Sequence, residues 1–88
     1  MISENDKNII LKYAKKYKLK KVILFGSSKE KIEFRDIDLA IKGIDPKVFF
    51  DFCWDLYRDL SKPVDIIDLN VDCSFNRIIE KEGLVLYG

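Results

Sequence analysis

An apolar strand, Val22-Ile23-Leu24-Phe25, runs straight into Gly26-Ser27-Ser28. After a charged segment ending at Arg35 comes a second apolar stretch headed by two acids, Asp36-Ile37-Asp38-Leu39-Ala40-Ile41. Four consecutive apolar residues stopped by glycine read as a strand buried on both faces. Alternate residues of a strand share a face, so Asp36 and Asp38 converge. Two carboxylates side by side repel each other unless a cation lies between them. A Gly-Ser turn at the same point offers bare backbone N–H groups and a hydroxyl to an anion. The pattern predicts a metal-dependent nucleotide site, with Gly26 and Ser27 toward phosphate and Asp36 and Asp38 toward metal.

The rest of the chain builds a sheet around that site. Ser3 with Asp6 three residues later has the form of a capping box. Ile10, Tyr13, Ala14 and Tyr17 then recur at helical spacing, predicting a helix from about Glu4 to Lys18. Asp45-Pro46 pairs a cap residue with proline at the first helical position. From there Phe49, Phe52, Cys53, Leu56, Tyr57 and Leu60 keep the helical period until Lys62-Pro63 breaks it. Val64 to Leu69 reads as a third strand. Asp72 or Ser74 is suited to cap a last helix carrying Phe75, Ile78 and Ile79, which Gly83 ends. Leu84 to Tyr87 suits a short closing strand. The order α-β-β-α-β-α with a closing β predicts an α+β fold, a small mixed sheet flanked by helices mainly on one side. No repeat, linker or low-complexity stretch divides residues 1–88, so one domain is expected.

In the third strand Asp65 and Ile67 face one way, and Val64, Ile66 and Asp68 the other. Parity alone does not say which face joins the paired aspartates. A third carboxylate from this strand completes a set able to hold two Mg2+ ions. Such a pair clamps the attacking and leaving oxygens of an in-line phosphoryl displacement.

Histidine is absent, which removes His-based acid–base chemistry and leaves carboxylates as the ligand set. Mg2+ suits such a set, since it takes a few carboxylates plus substrate phosphates. Cys53 and Cys73 are too few for a disulfide framework or a zinc site and read as packed or incidental thiols. Sixteen basic residues against 15 acidic give a net charge of +1 and no overall field for nucleic acid. Lys12, Lys15, Lys16, Lys18, Lys20 and Lys21 read as a solvated helix face running into a loop. Asp51, Asp55 and Asp59 recur every four residues and read as a wet stripe on the second helix. Phe49, Phe50, Phe52, Trp54 and Tyr57 nearly encircle that helix. So small a domain cannot bury aromatics on every side, so part of this surface is expected to meet another protein. No apolar run reaches the roughly 18–20 residues that cross a bilayer, and the N-terminus has no signal-peptide pattern. A cytoplasmic location is expected.

In these motifs the chain resembles the nucleotidyltransferase superfamily, in particular its minimal MNT-domain (MntA-like) members. The resemblance runs through F-G-S (Phe25 to Ser27), D-I-D-L (Asp36 to Leu39), P-V-D-I-I-D-L (Pro63 to Leu69) and E-G-x-x-L-Y (Glu82 to Tyr87). It implies a nucleotidyltransferase fold. It also implies that Gly26 and Ser27 contact the nucleotide triphosphate and that Asp36 and Asp38 ligate both Mg2+ ions. Asp65 would ligate the catalytic metal and help deprotonate the attacking hydroxyl. The implied reaction is transfer of AMP from ATP with release of pyrophosphate. The implied acceptor is a tyrosine of a HEPN-domain toxin, with this protein as the antitoxin in a hetero-oligomeric or homo-oligomeric assembly.

One segment departs from the family pattern. Family members usually carry a longer loop between G-S and D-x-D, with a small-Arg-Gly element in it. Here Ser28 to Arg35 is shorter and has no Arg-Gly, leaving Lys29 or Arg35 to offer positive charge to phosphates. That departure, with the aromatic second helix, supports an alternative reading: a binding module that neutralises its partner by contact alone. Transfer to a small molecule such as an aminoglycoside fits poorly. The larger relatives build that acceptor pocket from an additional helical domain, for which these 88 residues leave no material.

Overall fold

The computed structural model describes residues 2–26 and 35–88. In chain order the elements are α1 (Glu4–Lys16), β1 (Lys21–Phe25), β2 (Ile37–Lys42), a 3-10 turn (Pro46–Val48) that leads into α2 (Phe49–Asp59), β3 (Val64–Asp68), α3 (Ser74–Glu82) and β4 (Leu84–Tyr87). The strands lie side by side as β3-β2-β1-β4. β1 is antiparallel to both neighbours, whereas β2 runs parallel to β3. A parallel pair needs a crossover, and α2 supplies it. The expected α+β architecture with a mixed sheet is the one observed. Among the described residues, no helix is long and apolar enough to cross a membrane.

Strand alternation divides the sheet into two unequal faces. Val22, Leu24, Ile37, Leu39, Ile41 and Val64 point to one, where α1 contributes Ile10, Tyr13 and Ala14 and α2 contributes Phe52 and Leu56. This face is the main core. On the other, Ile23, Ala40 and Leu69 meet Ile79 of α3, with Phe25 and Ile67 at the margin. Among the described residues one short helix covers what two helices cover opposite. Asp38 and Asp65 belong by alternation to the thinly covered face.

Several local expectations need correction. α1 ends at Lys16 rather than Lys18, because Lys18 takes a left-handed φ of 56° and the Leu19 N–H closes back on the Ala14 carbonyl at 2.9 Å. Ser3 does cap α1, its hydroxyl accepting from the Asp6 N–H at 3.1 Å. Asp6, however, turns its buried carboxylate to Ser61, accepting from the backbone N–H at 3.1 Å and from the hydroxyl. It ties the start of α1 to the chain just after α2. At α3 neither Asp72 nor Ser74 is the cap. Cys73 holds that position without a side-chain bond, and Asp72 pairs with Arg77 at 2.9 Å. Gly83 does end α3, but for a reason of space. A Cβ there would lie 2.2 Å from Ile23 Cγ2.

The wet stripe on α2 is the largest correction. Asp51 is exposed, but Asp55 is buried and Asp59 half-buried. Asp55 accepts from the Tyr17 hydroxyl at 2.5 Å and pairs with Arg58 at 3.1 Å and Lys16 at 3.5 Å. Asp59 accepts from the Tyr13 hydroxyl and pairs with Arg58 at 2.9 Å. The rings of Tyr13 and Tyr17 belong to the α1 apolar face while their hydroxyls make the rim of the α1–α2 seam polar.

The Tyr17 hydroxyl, then Lys16 and Arg58, hold the Asp55 carboxyl below the usual carboxylate range, against the opposing effect of burial. The same bond pushes Tyr17 up to about 12. A depressed carboxyl contributes stability that is complete above its unfolded value of about 3.9 and is lost as pH falls through the folded one. Tyr17→Phe should therefore cost about 1 kcal/mol in urea denaturation at pH 7, and the penalty should shrink as pH falls below the ordinary carboxylate range and Asp55 takes up its proton. An equal cost at pH 7 and in acid would exclude a bond to the charged carboxylate.

Candidate active site

At one end of the sheet three strands meet in register. Phe25, the last residue of β1, lies directly opposite Asp38 of β2. Asp38 lies directly opposite Asp65 across the parallel pair. Direct partners share a face, so Phe25, Asp38 and Asp65 form a row on the thinly covered side. Asp36 sits one residue ahead of β2 and is exposed, as is Asp65, whereas Asp38 is half-buried. Asp68 pairs in register with Ile41 at the far end of β3, and its carboxylate accepts from the Asn70 N–H at 2.9 Å. The fold thus brings Asp36, Asp38 and Asp65 together and leaves Asp68 out.

The electrostatics record that proximity. Burial first, then the negative charges of Asp65 and Asp36, push the Asp38 carboxyl above its ordinary value. Among the described residues no three acidic or thiol side chains already close around one point at metal-ligating distance. The donor set still fits Mg2+: hard oxygens with room for phosphate oxygens, and a mutual repulsion that a divalent cation relieves.

Gly26 follows Phe25 with φ +67°, and a Cβ on it would lie 2.6 Å from Asp38 Oδ2. Glycine is required twice over, by the left-handed backbone and by the carboxylate that fills the space. Ser27, expected at the triphosphate, lies outside the described residues, as do Lys29 and the remainder of that segment through Phe34. Arg35 is exposed immediately before Asp36.

Beside Gly26 opens a groove of about 280 Å³, lined among the described residues by Phe25, Gly26, Phe75, Ile78, Ile79, Glu82 and Gly83. The rings of Phe25 and Phe75 meet edge to face, 6.1 Å apart at 84°. The sequence places Phe75, Ile78 and Ile79 on the apolar side of α3, yet Ile79 alone of the three is buried. Apolar residues beyond what this short helix can bury were the available signal for the groove.

Residues 7–88 match the family described as polymerase beta, nucleotidyltransferase. The chain belongs to that family. No curated protein matches it. Among solved structures it is similar to a mutant form of the MntA–HpeT toxin–antitoxin, at 26% identity and a TM-score of 0.77, covering 100% of this chain and 74% of that one. It is similar also to a toxin–antitoxin with AMP-PNP, at 27% identity and TM-score 0.75, with 93% and 73% covered. A third structure is a tri-AMPylated Shewanella oneidensis HEPN toxin in complex with an MNT antitoxin, at 26% identity and TM-score 0.71, with 94% and 70% covered. The expected nucleotidyltransferase fold and the resemblance to MNT proteins agree with these likenesses.

In this member of the family, Asp38 should burden the fold when no cation is present. A raised carboxyl costs stability once it is charged, so neutralising it helps at neutral pH and has no effect where it is already protonated. Asp38→Asn keeps the volume and should raise the Tm by roughly 2–5 °C at pH 7 in EDTA. The gain should fade as pH approaches the titration of Asp38. Mg2+ should raise the wild-type Tm and leave that of the variant unmoved. A lower Tm for the variant in EDTA would mean that repulsion among the three acids is not what destabilises this corner.

Proposed function

We propose that this nucleotidyltransferase, with residues 1–88 acting as one domain, moves AMP from ATP to a protein hydroxyl in a Mg2+-dependent reaction. We infer that the acceptor is a tyrosine of a HEPN-domain toxin, that the protein serves as the antitoxin, and that the reaction runs in the cytoplasm, where ATP and Mg2+ are at hand. The observation that carries this reading is the register that sets Asp38 against Asp65 with Asp36 two residues back. Two of the similar structures support the nucleotide and the acceptor: one toxin–antitoxin contains AMP-PNP, and in another the HEPN toxin is tri-AMPylated.

In this reaction the acceptor oxygen attacks the α-phosphorus and a new P–O bond forms. The bond to the bridging oxygen of the β-phosphate breaks, and pyrophosphate leaves. Asp65, an exposed carboxylate at the end of the row, accepts the hydroxyl proton. Asp36, Asp38 and Asp65 are the residues that would hold Mg2+, which supplies charge neutralisation for the attacking and leaving oxygens. Gly26, without a Cβ, lets phosphate approach the backbone, and Ser27 adds a hydroxyl there.

The test is label transfer from α-labelled ATP to a co-expressed HEPN protein. Transfer should require Mg2+ and should fail with γ-labelled ATP, whose label departs with pyrophosphate. Asp36→Asn, Asp38→Asn and Asp65→Asn should each lower it by more than the roughly 10–100-fold that loss of an outer-shell metal partner costs. Undiminished transfer in any of the three sinks the assignment of that residue.

A contact-only antitoxin is favoured by a different feature. Phe50, Trp54 and Tyr57 are 81%, 67% and 53% exposed, and their spacing puts them on one stripe of α2, away from buried Phe52 and Leu56. Under that reading the Asp→Asn variants still protect cells from the toxin while Trp54→Glu does not. Loss of protection by the aspartate variants within an intact complex decides for catalysis.

A further inference from the structure

The row of Phe25, Asp38 and Asp65 stops at an open edge. β3 is the last strand of the sheet on that side, and among the described residues no strand pairs with its outer edge. The hydrogen bonds to β2 fix which of its backbone groups are engaged. The Ile37 N–H donates to the Pro63 carbonyl and the Leu69 N–H to the Ile41 carbonyl, both at 2.8 Å. Pro63 and Leu69 thus aim their backbone at β2, and by alternation so do Asp65 and Ile67. Val64, Ile66 and Asp68 turn theirs outward. The Asp68 carbonyl is met by the Asn76 amide at 3.3 Å, which leaves Val64 and Ile66 as the open stretch.

A strand added to this edge in the antiparallel sense has a defined register. Because the Asp65 backbone is turned to β2, Asp65 and the residue opposite it form a non-hydrogen-bonded pair. In such pairs the Cα atoms come closest, at about 4.5 Å. Direct partners share a face, so that residue extends the acidic row beside the exposed Asp65 carboxylate. A corner already holding three carboxylates accepts a neutral hydroxyl there and repels an acid. The two flanking residues exchange main-chain bonds with Val64 and Ile66. Their side chains turn to the opposite face, beside Val64 in the main core and Ile66 at its margin.

We propose that the outer edge of β3 docks the acceptor as an added antiparallel strand. It takes an extended segment of the partner protein with its tyrosine opposite Asp65 and an apolar residue on each side. The inference rests on the transferase reading above and adds how the acceptor is held. In the docked segment the hydroxyl gives its proton to Asp65, its oxygen bonds the α-phosphorus of ATP, and pyrophosphate leaves.

The experiment uses the full chain with α-labelled ATP, Mg2+ and a synthetic acceptor, acetyl-Lys-Thr-Val-Tyr-Val-Thr-Lys-amide. N-methylation of both valines removes the N–H groups aimed at β3. It should lower kcat/KM for AMP transfer roughly 30-fold, the scale of two main-chain hydrogen bonds. N-methylation of the tyrosine, whose N–H points away from β3, should leave kcat/KM unchanged. Aspartates in place of the valines should lower it as the methyl groups do. With α,β-methylene ATP, which cannot release pyrophosphate, adding the peptide should slow hydrogen exchange at the Ile66 amide. Exchange at Ile67, whose N–H already faces β2, should not change. No loss on methylating the valines, an equal loss on methylating the tyrosine, or no slowing at Ile66 overturns the inference. So does transfer to the co-expressed HEPN protein with none to the peptide, a result that leaves the transferase reading standing. Transfer to neither acceptor overturns the two together.

Discussion

The parallel register of β2 on β3 is the constraint from which the rest of the site follows. It sets Asp38 against Asp65, two like charges on neighbouring strands, with Asp36 close enough to add to the repulsion. Nothing in that contact favours itself. What holds it is the opposite face, where Ile37 meets Val64 and Leu39 meets Ile66 in the same register. A slip by one residue would send Asp65 toward the α1–α2 core and Val64 or Ile66 to the acidic row. The apolar core on one side of the sheet thus fixes the position of charges on the other. The stability of the thick face and the chemistry of the thin one are two consequences of a single alignment.

Much of this is written locally. The strand broken at Gly26, the D-x-D head of β2, the Asp45-Pro46 start before α2 and the stop at Gly83 are short-range signals of backbone conformation, and each element appears within a residue or two of its expected place except α2, which begins at Phe49 because Pro46–Val48 forms a 3-10 turn. What local signals do not carry is which element meets which. Asp55 and Asp59 recur at the spacing of a solvated stripe. They lie instead against Tyr17 and Tyr13, because α1 packs beside α2 and brings two hydroxyls to the seam. Asp6 has the spacing of a capping box, yet Ser61, 55 residues away, takes its carboxylate. The choice between Asp65 and Asp68 is of the same kind. Parity puts them on opposite faces of β3, but pairing with β2 is a long-range fact, and so is the groove that α3 forms against β1.

The thin face has its own logic. Burial and the neighbouring charges of Asp65 and Asp36 already push the half-buried Asp38 carboxyl up, so deeper cover by a helix crossing this face would cost more. α3 avoids that cost by being short and by its placement. It has nine residues, buries Asn76 and Ile79, and ends where Gly83 passes too close to Ile23 for any side chain. The Asn76 amide donates to the Val71 carbonyl at 2.7 Å and the Asp68 carbonyl at 3.3 Å, fastening the start of α3 to the end of β3, away from the acidic row. Anchored at that end, the helix leaves Phe75 and Ile78 half-covered beside Phe25 and the three aspartates clear. The exposed apolar surface and the acidic row therefore lie next to each other for one geometric reason.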